Sequence, residues 1–180
     1  QTGFYNTAGN SLLYASTGTM RFDTADLSNM ESNGSLLNVI IHEMAHVIGF
    51  GTLWELNGLY SPGTGQYIGQ HAIDAYQQEF DASATTVPVE LDGGPGTADG
   101  HWDETWAGPT SDIMTGYIEG AVTISDTTYA AFRDLGYATS NSTSGNTGGS
   151  GAGNSSSNDV PVMFLGGLAL LGMAGVRRRK

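Results

Sequence analysis

One stretch of the chain, IIHEMAHVIGFGTLW at residues 40–54, places three ionisable side chains inside an apolar run. His42 and His46 are four residues apart and Glu43 lies three before His46, so a helix would carry them on one strip. The surrounding helical positions are apolar nearly all round: Leu36, Leu37, Val39, Ile40, Ile41, Met44, Val47 and Ile48. This pattern predicts a buried helix, in which an unpartnered polar strip would cost several kcal/mol.

A bound cation removes that cost, because two neutral imidazoles one helical turn apart can ligate Zn²⁺. The spacing of His42, Glu43 and His46 is the H-E-x-x-H zinc pattern, in which the glutamate is the general base and not a ligand. The alternative is a pair of core histidines hydrogen-bonded to their neighbours. We predict that the helix begins near Ser35, a good N-cap residue, and that Gly49 forms the left-handed turn that ends it.

A catalytic zinc needs a third protein ligand. His71 falls at the start of a predicted helix over about 69–80, where a solvent-facing or capping role is ordinary. His101 lies in the Gly-rich stretch GTADGHWDETW, which can wrap back to a metal, and Asp103 and Glu104 are close enough to orient its free ring nitrogen. We therefore predict His101 as the third ligand, with Glu79 as the alternative carboxylate ligand.

Composition divides the chain into three parts: a domain at 1–138, a flexible Gly/Ser/Asn linker at 139–159, and a C-terminal segment at 160–180. The uncharged run over 160–176 would be about 26 Å long as a helix and precedes the cluster RRRK. We expect a weak membrane anchor with its cationic end in the cytoplasm and the domain outside the cell. The alternative is a buried terminal helix of the domain.

Charge and cysteine content exclude several functions. The chain has 18 acidic and 6 basic residues, and four of the basic residues close the sequence. Because the domain has no basic stripe, nucleic acid is not an expected partner. Without cysteine, the chain can have no disulfide, thiolate ligand or cysteine nucleophile. Calcium is a second metal prediction, at the acidic residues of ELDGGPGTADG: Glu90, Asp92 and Asp99.

Other local patterns predict a short strand through Met20 and Phe22 and a helix over about 126–135, which Ser125 caps. Together with the helix at 69–80 and the long Gly- and Pro-rich connections, they indicate an α+β class.

Four segments, GTMRFDTADL, HEMAHVIGFGTLW, VPVELDGGPGTADGHWDE and DIMTGYI, make residues 18–137 resemble the leishmanolysin-like metallopeptidases of the metzincin clan. The resemblance implies a two-subdomain catalytic domain split by the active-site helix, with a loop-rich lower subdomain. Only 41 residues precede His42, so we expect the upper sheet subdomain to be incomplete and the protein to be N-terminally truncated. The segment TGTMRFD would then supply the edge strand that binds extended substrate.

The same resemblance implies roles for individual residues. Most metzincins place the third histidine six residues after the second, where this chain has Thr52. Leishmanolysin-like members take it from a later His-Trp pair, which corresponds to His101 and Trp102. Met114 would be the Met-turn residue beneath the ligands, whereas the residues alone indicate a core methionine. Leishmanolysins proper are rich in disulfides, so a chain without cysteine is more similar to bacterial relatives.

The C-terminus resembles the tripartite sorting signals of bacterial surface proteins, of which PEP-CTERM is the best known. It has an apolar segment and a terminal Arg cluster, but its short motif reads Asp159-Val160-Pro161-Val162 in place of Pro-Glu-Pro. The resemblance implies a membrane anchor and a sorting enzyme as a partner.

The sequence therefore predicts a zinc-dependent endopeptidase, displayed on a bacterial cell surface, that hydrolyses extracellular proteins or peptides. One catalytic zinc would be held by His42, His46 and His101, with Glu43 as general base. The alternative function is a surface-anchored structural or adhesive domain, or an inactive peptidase relative, with a non-catalytic zinc.

Overall fold

The computed structural model describes residues 3–6, 11–118 and 121–138, with the main chain alone for 3–6. The linker predicted at 139–159 and the C-terminal segment predicted at 160–180 lie outside the described residues. Within these ranges, every helix is too short or too polar to cross a bilayer.

The described residues form a mixed α and β structure, which agrees with the predicted α+β class. Two antiparallel pairs of strands are present, β1 (Gly3–Asn6) with β2 (Leu13–Thr17) and β3 (Gln66–Tyr67) with β4 (Val87–Pro88). The helices are α1 (Thr24–Ser32), α2 (Leu36–Ile48), α3 (Gln70–Glu79), α4 (Asp126–Asp134) and a single 3-10 turn (Glu55–Asn57).

The strand predicted through Met20 and Phe22 is wrong, and so is the edge-strand role of TGTMRFD. The strand instead ends at Thr17, which pairs with Gly3 at the end of the β1–β2 ladder. Beyond that point the described strands offer no partner to residues 18–23. The side chain of Asp23 then accepts a hydrogen bond from the amide of Ala25 at 2.9 Å and caps α1, a helix that the sequence analysis did not predict.

Helix α2 has the predicted bounds but not the predicted burial. It starts after Ser35 and ends at Gly49, whose φ of +128° favours glycine. Only His42 and Ala45 are fully buried along it, whereas Leu37 and Met44 are 53% and 40% exposed. Among the described elements, β2 and α1 make the main contacts with α2, and they leave Leu37 and Met44 uncovered.

Helices α3 and α4 pack against each other. Both have the predicted positions. The hydroxyl of Ser125 accepts from the amide of Thr128 at 3.1 Å and caps α4 as expected. The carboxylate of Asp134 accepts from the amides of His71 and Ala72 at 2.9 and 3.0 Å, so the end of α4 is joined to the start of α3.

An aromatic core lies between these helices and the loops that follow α2. Trp54 and Trp102 are both fully buried, with ring centroids 5.2 Å apart, and Trp106 continues the stack at 5.9 Å from Trp102. Burial of side chains this large contributes about 2–3 kcal/mol each. Because Trp102 follows His101 directly, this core fixes the backbone beside the third histidine.

Candidate metal centre

The rings of His42, His46 and His101 converge on one point. Their Nε2 atoms are 3.0 Å apart between His42 and His46, 2.9 Å between His46 and His101, and 3.1 Å between His42 and His101. His42 and His101 are only 7% and 4% exposed, and His46 is half-buried. The structure thus brings His101, the predicted third ligand, beside the two helical histidines.

The other ring nitrogen of each histidine contacts a main-chain carbonyl. The Nδ1 atoms of His42, His46 and His101 lie 2.6, 3.0 and 2.7 Å from the carbonyl oxygens of Ile113, Phe50 and Thr97, respectively. Since a carbonyl oxygen can only accept, each Nδ1 must carry the ring proton and donate it. Each Nε2 then carries no proton, and its lone pair faces the other two Nε2 atoms.

Burial keeps the rings of His46 and His101 in their uncharged form. Desolvation, followed by the influence of His101 and His42, lowers the pKa of His46 to about 3. Desolvation also lowers the pKa of His101 to about 4. The neutral imidazole is the form that binds a metal ion.

Three lone pairs about 3 Å apart repel one another, and they cannot be hydrogen-bonded because none carries a proton. A cation is the partner that satisfies all three. Nitrogens that are each about 2.0–2.1 Å from a tetrahedral zinc lie roughly 3.3 Å apart, within a few tenths of an ångström of the observed separations. The donor set therefore fits Zn²⁺ with three protein ligands.

The loop after α2 is closely packed against the loop that carries His101. A Cβ added at Gly51, whose φ is +70°, would lie 2.5 Å from the carbonyl oxygen of Gly100. Thr52 occupies the position six residues after His46 and is not a ligand, because its hydroxyl donates to the carbonyl of His46 at 2.7 Å. These contacts lie at the end of α2 and bring the loop with His101, which is 55 residues after His46, beside the helix.

Met114 lies in a fully buried turn joined to the same site. Its carbonyl accepts from the amide of Trp102 at 2.9 Å, which links the turn to the residue after His101. The preceding carbonyl, that of Ile113, accepts from His42. The turn therefore contacts two of the three ligand segments, and the core and Met-turn interpretations of Met114 agree in a packing role.

A buried carboxylate that was not predicted from the sequence holds this turn. Asp112 is 1% exposed, and its Oδ1 accepts from the amide of Met114 and the hydroxyl of Thr128, both at 2.8 Å. Its Oδ2 accepts from the amide of Ser125 at 2.9 Å. The available signal was an aspartate two residues before Met114, a spacing that favours a side-chain-to-backbone turn.

Two other candidate ligands lie elsewhere. His71 is exposed at the start of α3, as predicted. Glu79 is neither a ligand nor merely solvated, because its carboxylate accepts from the amides of Asp126 and Thr127 at 2.9 and 2.7 Å and so caps α4. Glu43 is half-buried on α2 beside His42.

The predicted orientation of His101 by Asp103 or Glu104 is wrong, since the Thr97 carbonyl fills that role. Glu90, Asp103 and Glu104 instead form a separate acidic group. Burial, and then the contact with Glu90, raises the pKa of Glu104 to about 7.

The structure gives no support to the predicted calcium site. Among the described residues, Glu90 converges with Asp103 and Glu104 and not with Asp92 or Asp99. The Asp99 carboxylate instead accepts from Tyr60 and Gly63.

The chain matches the Peptidase_M8 family model, described as leishmanolysin, over residues 12–148. No curated protein and no solved structure matches it significantly. The matched range contains all three converging histidines and Met114, and the family consists of zinc enzymes. The chain therefore belongs to the leishmanolysin family of metallopeptidases.

Proposed function

We propose that the chain is a zinc-dependent endopeptidase whose single metal ion is held by His42, His46 and His101. The observation that carries this proposal is the convergence of three proton-free Nε2 atoms within 2.9–3.1 Å of one another. Three protein ligands leave one tetrahedral position open, which is typical of catalytic zinc and unlike structural zinc, which protein usually coordinates completely.

A zinc ion bound there would lower the pKa of a coordinated water to about 7 and polarise the scissile carbonyl. The role we assign to Glu43 is proton transfer. It is the residue after His42 on the same helix, and it is half-buried. Its carboxylate would accept the proton of the attacking water and later donate it to the leaving nitrogen of the peptide bond.

Other residues of the site orient the metal ligands and take no part in the reaction. The carbonyls of Ile113, Phe50 and Thr97 hold the imidazoles in one tautomer and orientation. We also propose that α2 separates two subdomains in the metzincin manner. This is supported by β2 and α1, which contact α2, and by the loops after α2, which lead to the third histidine.

The test compares the wild-type protein with Glu43→Gln and with Glu55→Gln, an exposed glutamate on the 3-10 turn, as a matched control. We expect about one zinc per chain in all three proteins. Cleavage of a denatured protein substrate should occur in the wild type and in Glu55→Gln, and should be lost in Glu43→Gln.

Peptidase activity retained in Glu43→Gln would contradict the general-base role. Zinc in all three proteins without cleavage in any would favour the structural-metal function. Absence of zinc from the wild type would support the alternative in which these histidines are core residues hydrogen-bonded to their neighbours.

We further propose that the domain acts outside the cell and is anchored through residues 160–180. The support is the uncharged 17-residue run followed by RRRK. Digestion of intact cells with an added protease should remove the domain if it is displayed. Protection of the domain in intact cells, with digestion after lysis, would contradict surface display.

A further inference from the structure

Asp99, two residues before the third histidine, has an unusual backbone conformation. Its φ is +64°, and it is the only residue other than glycine with a positive φ in the ranges 3–6, 11–118 and 121–138. This left-handed region is disfavoured for residues with a Cβ, although aspartate and asparagine tolerate it better than most. The conformation must therefore be held by contacts around it.

Those contacts come from the loop after the 3-10 turn. The Asp99 Oδ1 accepts a hydrogen bond from the hydroxyl of Tyr60 at 2.5 Å and another from the amide of Gly63 at 2.7 Å. Tyr60 is 4% exposed, and its ring packs 6.0 Å from the ring of Trp54 in the aromatic core. Asp99 is thus joined through Tyr60 to the aromatic core.

The backbone on either side of Asp99 leads directly to the metal ligand. The Asp99 amide donates to the Glu90 carbonyl at 2.8 Å, and the Glu90 amide donates to the His101 carbonyl at 3.0 Å. Gly100, between Asp99 and His101, is the residue packed against Gly51. A rotation at Asp99 would therefore move the His101 backbone relative to α2.

We propose that Asp99 is a positioning residue for the third zinc ligand and that Tyr60 acts through it. The hydrogen bond from Tyr60 fixes the left-handed turn, and the turn places His101 Nε2 within 3.1 Å of its partners on α2. This inference rests on the proposed zinc site. It adds two residues outside the H-E-x-x-H motif whose effect on the metal is indirect.

The test uses the full chain with Tyr60→Phe, Asp99→Gly and Asp99→Asn. The first removes the donor, and the second removes the acceptor while permitting a positive φ. Asparagine tolerates the left-handed region and keeps a side-chain oxygen that can accept. Loss of a group that orients a metal ligand typically weakens metal binding about 10- to 100-fold.

We expect Tyr60→Phe and Asp99→Gly to raise the zinc dissociation constant by about tenfold or more, with Asp99→Asn restoring it to within about threefold of the wild-type value. Cobalt substituted for zinc gives a visible absorption spectrum that reports ligand geometry. We expect this spectrum to change in the first two variants and to be restored in Asp99→Asn.

The matched control is Tyr67→Phe. Tyr67 is also a buried tyrosine whose hydroxyl donates to a carboxylate, but that carboxylate belongs to Asp134 at the end of α4. If the hydroxyl contributed only to general stability, Tyr67→Phe and Tyr60→Phe would affect zinc binding equally, which would overturn the inference. Melting temperatures of the zinc-free proteins separate folding from metal binding.

The experiment distinguishes failure of the positioning role of Asp99 and Tyr60 from failure of the zinc site itself. If the wild type holds one zinc and all variants bind it with the wild-type dissociation constant and spectrum, the role of Asp99 and Tyr60 is refuted while the metal site stands. If the wild type binds no zinc, the metal site and the positioning role are both refuted.

Discussion

Removal of the Asp112 carboxylate should be among the most damaging single changes in the described chain. In Asp112→Ala, the buried amides of Met114 and Ser125 lose the side-chain acceptors that they contact at 2.8 and 2.9 Å. Each buried donor left unsatisfied costs about 1–3 kcal/mol, so the free energy of unfolding should fall by about 2–6 kcal/mol. The hydroxyl of Thr128 also loses its acceptor, but it adds less than a fixed amide because a hydroxyl can rotate toward another neighbour.

Asp112→Asn should cost about half as much. The amide oxygen can still accept from Met114 and Thr128, but its NH₂ group would face the Ser125 amide, so one hydrogen bond is lost at about 1–3 kcal/mol. Natural domains are stable by only about 5–15 kcal/mol, so the alanine variant should be close to unfolding while the asparagine variant should remain folded.

The assay is urea unfolding followed through the fluorescence of the buried tryptophans. The protein is treated with a chelator so that metal binding does not add to the measured free energy of unfolding. Asp74→Ala is the control, since Asp74 is exposed on α3 and should stay within about 0.5 kcal/mol of the wild type. If the free energy of unfolding of Asp112→Ala lay within about 0.5 kcal/mol of the wild-type value, the predicted loss of hydrogen bonds would be refuted. Equal losses in the alanine and asparagine variants would show that charge, and not the number of acceptors, decides the stability.

Three further predictions concern the backbone contact, the α4 cap and pH. Gly51→Ala should weaken zinc binding, measured by titration, because its Cβ would lie 2.5 Å from the Gly100 carbonyl oxygen; unchanged affinity would contradict this. Glu79→Ala should destabilise the fold by about 1–2 kcal/mol in urea unfolding, because α4 loses a charged cap; a neutral effect would contradict it. The zinc-free protein should lose stability as pH falls from about 6.5 towards 4. The unfolded chain takes up protons near pH 6.5, whereas the folded pKa values of His46 and His101 are about 3 and 4. Replacing both histidines with glutamine should reduce that slope in unfolding midpoints, and an unaltered slope would contradict the assignment.

The parts of the site that depend on short-range geometry could be predicted from the sequence. The spacing of His42 and His46 determines their common face once a helix is assumed, and the residues at both helix ends gave its bounds. His101 was predicted from the composition of its loop and from the family resemblance. Its position beside the others depends on the Gly51–Gly100 contact, which links segments about 50 residues apart.

The parts that failed depend on partners distant in sequence. The segment around Met20 has a strand-like pattern, but a strand requires a neighbour, and the β1–β2 ladder ends at Thr17. Asp103 and Glu104 were plausible partners for His101 because they are polar and near in sequence. The actual partner is a carbonyl, and since every residue has one, composition cannot reveal which carbonyl is used. The exposure of Leu37 and Met44 likewise depends on what covers α2, which periodicity does not specify.

The choice of main-chain carbonyls as histidine partners has a consequence for mutational tolerance. Replacing the side chains of Ile113, Phe50 or Thr97 leaves each acceptor in the chain, so substitutions there can affect ligand orientation only by moving the backbone. A saturation library at these positions should therefore tolerate varied side chains of suitable volume and reject mainly residues that alter φ and ψ, proline above all. The path of the main chain therefore decides how the three histidines are oriented. Most side-chain substitutions at these positions leave the accepting carbonyl groups unchanged.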